Sequence, residues 1–360
     1  HGGFVPWISD GGPFDFWDPA GASGASFLNG PGSVLDNIPA KPMVAGQADY
    51  FYPNDQSTRL MWYHDHAYGI TRTNAYAGIA TGYAMIDPAQ EVAFGMSLPT
   101  NSKDAAGNIV PFGNLAQFIP LVFQDKKFVN AATILAQDPT WSLVARPDVQ
   151  TTGSLWYAHI YDPREFKLLN LIPPPDPSCI PEFFGDTMLC NGTVQPLVTV
   201  EAKRYRFWML NACNARFLDI NLLEVAPGTE VVTDKTTLLP VAPVPGPAMV
   251  QIGTEGGYLQ KEVQYNNNTY FNPVTFTGNM LLGPAERSDF IIDFTGKAGK
   301  EYIMYGDAPG PFPAGPATTD YFIGNNKNPA MAGVLPGQTI DTRNILKIKV
   351  VAAATPDQSL

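Results

Sequence analysis

The chain has 360 residues, of which 34 are proline and 33 are glycine, and only 15% are charged. Helix-breaking residues at this density exclude a long helical or coiled-coil protein, and a hydrophobic content of 45% excludes a disordered chain. The net charge of −11 argues against binding to nucleic acid or to an anionic membrane surface. No apolar run is long enough to predict a membrane span. The sequence therefore predicts a loop-rich, all-β globular protein.

The first third of the chain is predicted to hold two strands. It opens on His1-Gly2-Gly3, which we interpret as a processed or truncated N-terminus. Residues 60–66 and 78–86 are predicted as strands, and residues 67–77 between them as a turn or a short helix. Residues 92–113 are predicted as a linker because they include a polar, turn-forming run.

A second series of short strands follows, separated by turn signals at intervals that suit a sandwich or a barrel. The alternation of polar and apolar residues from Arg204 to Phe207 predicts a strand with one buried face. The final segment, 352–360, reads as a linker that leaves a domain. The predicted strands are 119–124, 187–190, 204–210, 217–223, 247–252, 288–294, 301–305 and 345–351.

The three cysteines leave the disulfide pattern open. Cys179 and Cys190 flank a proline-rich loop and can form a disulfide, which would leave Cys213 free, but spacing alone does not decide this. Two N-x-S/T acceptors, at Asn191 and Asn267, are compatible with secretion.

One dense signal stands out, because His64-Asp65-His66 holds two of the four histidines. On a strand, residues i and i+2 lie on the same face, so the two imidazoles would converge as metal coordination requires, and imidazole suits zinc, copper, iron and nickel. A solvent-exposed pair without a metal is the simpler alternative. A zinc hydrolase is disfavoured because the Asp-His continuation typical of metallo-β-lactamase-like enzymes is missing after His66.

The segment from Met61 to Asp87 resembles the second copper motif of the multicopper oxidases, in the branch of spore-coat laccases, bilirubin oxidases and phenoxazinone synthase. The opening His1-Gly2-Gly3-Phe4-Val5-Pro6 resembles the stretch that begins at the second histidine of the family's first copper motif. The similarity extends over nearly the whole chain. Its further landmarks are residues 119–126, 184–192, 205–216, 252–257 and 283–289.

The resemblance implies three cupredoxin domains, each a Greek-key β-sandwich or barrel. A type 1 copper would take electrons from a small phenolic or pigment-type reductant, and a trinuclear cluster of type 2 and type 3 coppers would reduce dioxygen to water. His1, His64 and His66 match ligands of the type 3 coppers. Asp10 matches an acidic residue associated with proton delivery, although an Asx turn in Ser9-Asp10-Gly11 would favour the same residue.

The sequence departs from the family pattern in what it lacks. The third and fourth copper motifs are missing and no cysteine stands beside a histidine, so the chain supplies at most three of eight cluster ligands and no type 1 site. The resemblance implies that residues 1–91 are the C-terminal part of cupredoxin domain one, 92–113 a linker, 114–351 domain two, and 352–360 a linker towards a missing domain three.

These expectations define a function and an alternative. The chain is predicted to be part of a secreted or extracytoplasmic laccase-like oxidase, inactive alone, whose remaining segments or a second chain complete the copper sites. The alternative is a non-catalytic cupredoxin-type structural or interaction protein that has lost full copper binding. Retention of the paired histidines at positions 64 and 66 argues against that alternative.

Several other polar and sulfur-bearing residues are predicted to be structural. Asp65 would point to the opposite strand face and form hydrogen bonds, and His159 would be a structural or surface histidine. Met61 and Met85 are predicted to lie in the core. Asp219 is predicted to be a charge at a strand end or in a loop.

Overall fold

The computed structural model describes residues 1–5, 18–22, 24, 46, 51–143, 151–157, 159–160, 183–313, 319–325 and 340–359. The strands are β1 Arg59–His64, β2 Ala80–Met85, β3 Ser102–Lys103, β4 Ile109–Val110, β5 Phe118–Lys126, β6 Thr187–Cys190, β7 Thr193–Val194, β8 Leu197–Glu201, β9 Arg204–Asn211, β10 Leu218–Val225, β11 Val244–Pro245, β12 Met249–Thr254, β13 Gly257–Tyr265, β14 Met280–Leu282, β15 Arg287–Asp293, β16 Glu301–Gly306 and β17 Asn344–Val351. The short α-helices are α1 Thr71–Ala77, α2 Pro88–Phe94 and α3 Ile134–Gln137.

Two sheets carry most of the described chain. The larger has seven strands in the order β13-β12-β15-β9-β5-β6-β7, and the smaller follows β11-β10-β16-β17-β8 with β14 beside β10. Side chains from both sheets share one core, in which the rings of Phe207 and Phe290 stack 5.2 Å apart. The prediction of an all-β sandwich is confirmed, because two sheets of strands pack their side chains into one core.

Each of these two sheets contains one parallel pair of strands. β5 runs parallel to β9, and β17 runs parallel to β8, whereas the remaining strand pairs are antiparallel. The strands predicted around 204–210, 217–223, 288–294 and 345–351 are observed within one or two residues of those limits. Strands such as β8 and β13 were not predicted, because their partly exposed, polar sequences carry little periodic signal.

A separate hairpin precedes these sheets. β1 pairs with β2 from Arg59↔Met85 to His64↔Ala80, and α1 fills the connection, ending at Gly78 in the left-handed conformation that glycine adopts most readily. The predicted strand 60–66 is corrected at its end: β1 stops at His64, so His66 lies in the turn that follows. Buried Leu60 and Trp62 join a small core with Trp208 of β9.

The predicted linker 92–113 is a folded segment. Its fold depends on Asn101, which is fully buried. The side-chain amide nitrogen of Asn101 donates to the carbonyls of Glu91 and Gly95 at 2.8 and 2.9 Å, and its side-chain oxygen accepts from the Phe112 nitrogen at 3.3 Å. One buried amide therefore holds together a stretch whose turn-forming composition predicted a linker.

The final described residues pack back on residues around the start of β9. The Asp357 carboxylate accepts hydrogen bonds from the Arg204 nitrogen at 2.7 Å and from the Gln117 side chain at 3.1 Å. Lys203 Nζ donates to Thr355 Oγ1 at 3.0 Å. None of the described helices combines the length and the apolar character that crossing a lipid bilayer requires.

Candidate metal centre

Three histidines meet at the end of the β1–β2 hairpin. One ring nitrogen from each of His1, His64 and His66 lies within 4.8 Å of the corresponding atoms of the other two. His1 Nε2 and His64 Nε2 are 2.9 Å apart, and the rings of His64 and His66 stack with centroids 4.3 Å apart. The structure thus brings together all three histidines that the sequence analysis assigned to metal binding, although His64 lies 63 positions after His1 in the sequence.

The sequence around the two later histidines forms a tight turn. Asp65 N donates to Ile79 O at 3.0 Å, which continues the pairing beyond β1 by one bond. The Asp65 carboxylate accepts from Ala67 N and from Asn74 Nδ2, each at 3.0 Å. This confirms the predicted hydrogen-bonding role of Asp65. It also explains how His66, which lies outside the strand, returns to the side of His64.

Identifiable contacts orient the imidazoles of His64 and His1. His64 Nδ1 lies 2.8 Å from the Asp65 carbonyl oxygen, so Nδ1 carries the proton and Nε2 presents its lone pair to the neighbouring histidines. Burial lowers the pKa of His64, which favours the neutral ring that metal ligation needs. The His1 ring stacks on Trp62 at 4.5 Å with an interplanar angle of 15°.

The histidines lie at an open surface of the described chain. His1 and His66 are exposed and His64 is half-buried. Beside them is a cleft of about 440 Å³ whose walls are mostly aromatic, formed by Tyr52, Trp62, Tyr63 and Tyr83 among others. His64 ends β1, whereas His1 and His66 lie outside the two strands of the hairpin.

The other residues discussed in the sequence analysis lie away from this cluster or outside the described residues. Asp10 lies outside the described residues, so its predicted role in proton delivery stays a prediction. His159 Nδ1 contacts Tyr157 O at 2.7 Å and its Nε2 contacts Thr140 Oγ1 at 2.9 Å, which confirms a structural role. Met61 and Met85 are buried, as predicted.

The cysteines are free where the structure describes them. Cys190 and Cys213 are both unpaired and buried. Cys179 lies outside the described residues. The pairing of Cys179 with Cys190, which the spacing left open, involves a residue outside the described part of the chain and stays a prediction.

The environments of two buried charged residues were not predicted from the sequence. Asp219 lies near the start of β10, as predicted, but it is fully buried beside Asp307 instead of being solvated. Arg287 begins β15 and reaches the carbonyl oxygens of Leu60 and His1. The only signal for Arg287 was its position within the landmark 283–289.

Comparison with known proteins identifies relatives over most of the chain. No family model matches. A laccase of Bacillus stratosphericus is 31% identical over 261 residues, covering 72% of this chain and 36% of the laccase. A laccase of Bacillus subtilis (strain 168) is 29% identical over 259 residues, covering 72% of this chain and 36% of the laccase. The chain thus spans little more than a third of the length of these curated relatives.

The comparison of folds agrees with these sequence matches. The crystal structure of McoA multicopper oxidase from the hyperthermophile Aquifex aeolicus aligns with 100% of this chain and 51% of its own, at a TM-score of 0.52 and 20% identity. At that identity the likeness concerns the fold alone, which is the all-β, cupredoxin-type architecture expected from the sequence. Together with the sequence matches, it identifies this chain as a partial homologue of the laccases and other multicopper oxidases.

Proposed function

We propose that this chain is one part of a laccase-like multicopper oxidase and that His1, His64 and His66 are ligands of its type 3 coppers. The observation that carries the proposal is the convergence of the three ring nitrogens within 4.8 Å. Laccases are among its relatives, and neutral imidazole is a ligand that copper accepts readily.

The donor set fits a copper ion in three respects. Two imidazole nitrogens that each stand about 2.0–2.1 Å from one ion, at right angles, are about 3 Å apart, which agrees with the 2.9 Å between His1 Nε2 and His64 Nε2. The Asp65 carbonyl fixes the tautomer of His64. Burial keeps that ring neutral at physiological pH by lowering its pKa.

The residues of this chain would hold and orient the metal without completing the centre. When bound, copper would supply the electron transfer that couples one-electron oxidation of a phenolic or pigment-type reductant to the four-electron reduction of dioxygen to water. Trp62 limits the movement of the His1 ring by stacking on it. Asp10 would deliver protons. The remaining ligands and the type 1 site would come from other segments of the oxidase or from a second chain, in a secreted or extracytoplasmic setting.

Copper binding to the purified chain tests this function. We expect little copper to bind, all of it at the three histidines, and no intense blue absorption, because no cysteine stands beside a histidine. His64→Ala should weaken Cu(II) binding and remove one nitrogen coupling from the Cu(II) electron paramagnetic resonance spectrum, because His1 and His66 remain. His159→Ala is the matched control, because it removes the remaining histidine and should leave the spectrum unchanged.

Two results would overturn the proposal. If His64→Ala and His159→Ala bound copper alike, the three histidines would not be the site, and the non-catalytic alternative would be favoured. If the chain alone were blue and consumed dioxygen, the assignment of an incomplete centre would be wrong.

A further inference from the structure

Arg287 connects the second domain to both backbone segments that carry the donor histidines. It is the first residue of β15, and its guanidinium points away from that sheet towards the β1–β2 hairpin. Nε donates to Leu60 O at 3.0 Å, and Nη2 lies 3.5 Å from His1 O in a longer contact. Nη1 donates to Ala285 O at 2.6 Å, which fixes the base of the side chain.

The two segments also contact each other at this point. The backbone nitrogen of His1 donates to Trp62 O, so the opening residues run along the edge of β1 that β2 does not occupy. The carbonyls of Leu60 and Trp62 lie two residues apart and point to the same edge. One of them binds Arg287 and the other binds His1. The guanidinium of Arg287 therefore contacts both β1, which ends at His64, and the backbone of His1.

The surroundings of Arg287 argue against a simple charge-pairing role. The residue is only 6% exposed, and its pKa is lowered by burial. The nearby Glu255 carboxylate accepts a hydrogen bond from the backbone nitrogen of Arg287 at 3.1 Å, whereas the guanidinium contacts described above are all to carbonyl oxygens. The charges of Glu255 and Glu286 offset part of the cost of burying this cation, whereas a positive charge beside a metal site opposes metal binding.

Gly2 adapts the chain to this contact. It has a φ of +84°, and a methyl group at its Cα would lie 3.1 Å from Arg287 Nη2. Gly3, one residue further, has no such restriction, and a methyl group there would meet its nearest neighbour at an ordinary 3.6 Å. The spacing between the His1 segment and Arg287 thus depends on a residue without a side chain at position 2.

We propose that Arg287 is a positioning residue for the metal centre, which sets the place of His1 relative to His64 by holding the backbone carbonyls of both segments. The inference rests on the proposed function, since it assumes that these histidines bind copper. The planar fork of the guanidinium suits two carbonyls at fixed positions, whereas the ammonium of lysine carries the charge without that geometry.

Cu(II) titration of four variants tests this role, with affinity and the number of nitrogen couplings as readouts. Arg287→Met and Arg287→Lys should both weaken Cu(II) binding by about 10- to 100-fold, as loss of an outer partner of a metal ligand does, and should lose the coupling from His1. Gly2→Ala should have the same effect in a protein that folds normally, because position 2 is exposed. Gly3→Ala is the matched control and should bind as the parent chain does.

The alternatives give different results. If the positive charge alone mattered, Arg287→Lys would bind like the parent and Arg287→Met would bind more tightly, because a repulsive charge has been removed. Tighter or unchanged binding in Arg287→Met, or equal binding by Gly2→Ala and Gly3→Ala, would overturn the inference. Failure of the proposed function would look different, since the parent chain itself would then show no nitrogen coupling sensitive to His64→Ala.

Discussion

Asp219 of β10 lies beside Asp307, the residue that directly follows β16, and the Asp307 nitrogen donates to the Asp219 carbonyl oxygen at 3.2 Å. Both side chains are buried. The Phe271 nitrogen donates to Asp307 Oδ2 at 2.8 Å. Burial first, and then the charge of Asp307, raise the pKa of Asp219, and burial raises that of Asp307. Two adjacent carboxyls in such a place cannot both ionise without cost.

The acid pair should make the fold less stable at alkaline pH. The folded-state pKa of Asp219 is raised above its unfolded value, so its contribution to stability is complete below about pH 4 and is lost as pH rises towards the raised pKa. Asp219→Asn imitates the protonated form and should be more stable than the parent at pH 8 by roughly 1–3 kcal/mol. Urea unfolding at pH 5 and pH 8 measures this. An equal pH dependence in both proteins would contradict it.

A buried arginine fastens α2 to the larger sheet. Arg206 Nε and Nη2 donate to Asp289 at 2.9 and 2.6 Å, and Nη1 donates to Glu91 at 3.0 Å. Arg206→Met would leave two buried carboxylates without their cation, and should lower the free energy of unfolding by about 3–5 kcal/mol. Arg204→Met, in the same strand but at a more exposed pair with a separation of 3.8 Å, should cost less than about 1 kcal/mol. Similar losses in both variants would be the contrary result.

The turn at Asp65 should matter for metal affinity as well as for stability. Asp65→Ala removes the acceptor of two hydrogen bonds that hold the chain between His64 and His66, so Cu(II) affinity should fall by about 10-fold. Asp87→Ala removes a comparable acceptor from the start of α2, where it should cost about 1 kcal/mol and leave Cu(II) affinity unaltered. Titration of both variants would show whether the effect is local to the histidines.

The free cysteines should be inert in the folded protein. Burial raises the pKa of Cys190 to about 12 and raises that of Cys213 well above its ordinary value, and the thiolate is the reactive form. Iodoacetamide at pH 8, followed by peptide mapping, should find neither residue modified before unfolding and both modified in guanidinium chloride. Rapid labelling of Cys213 in the native protein would refute this.

The sequence predicted the histidine pair and the strands better than the packing around them. His64 and His66 are visible as a spaced pair, but nothing in the local sequence shows that His1 joins them. That contact forms because the opening residues lie along the free edge of β1. Only the family resemblance pointed to it.

The features that the sequence did not predict have one physical origin. Parts of the chain that are distant in sequence bury side chains whose local pattern gives no sign of burial. Asp219 alternates with the core residues Leu218 and Ile220, a pattern typical of a strand whose polar face meets solvent. Here that face is covered, and the charge is buried. In the segment 92–113, predicted as a linker from its turn-forming residues, the buried side chain of Asn101 makes hydrogen bonds to three backbone groups that the local sequence does not reveal.

The parallel pair β8–β17 has a consequence for biosynthesis. Leu197 pairs with Lys347. During synthesis, β8 therefore has no β17 to pair with until the ribosome has added about 150 further residues. Contacts so distant in sequence slow folding, and until they form, β8 presents an unpaired edge to other nascent chains. Interruption of translation before Val351 should therefore yield an aggregation-prone product, even though most of the core residues have already been synthesised.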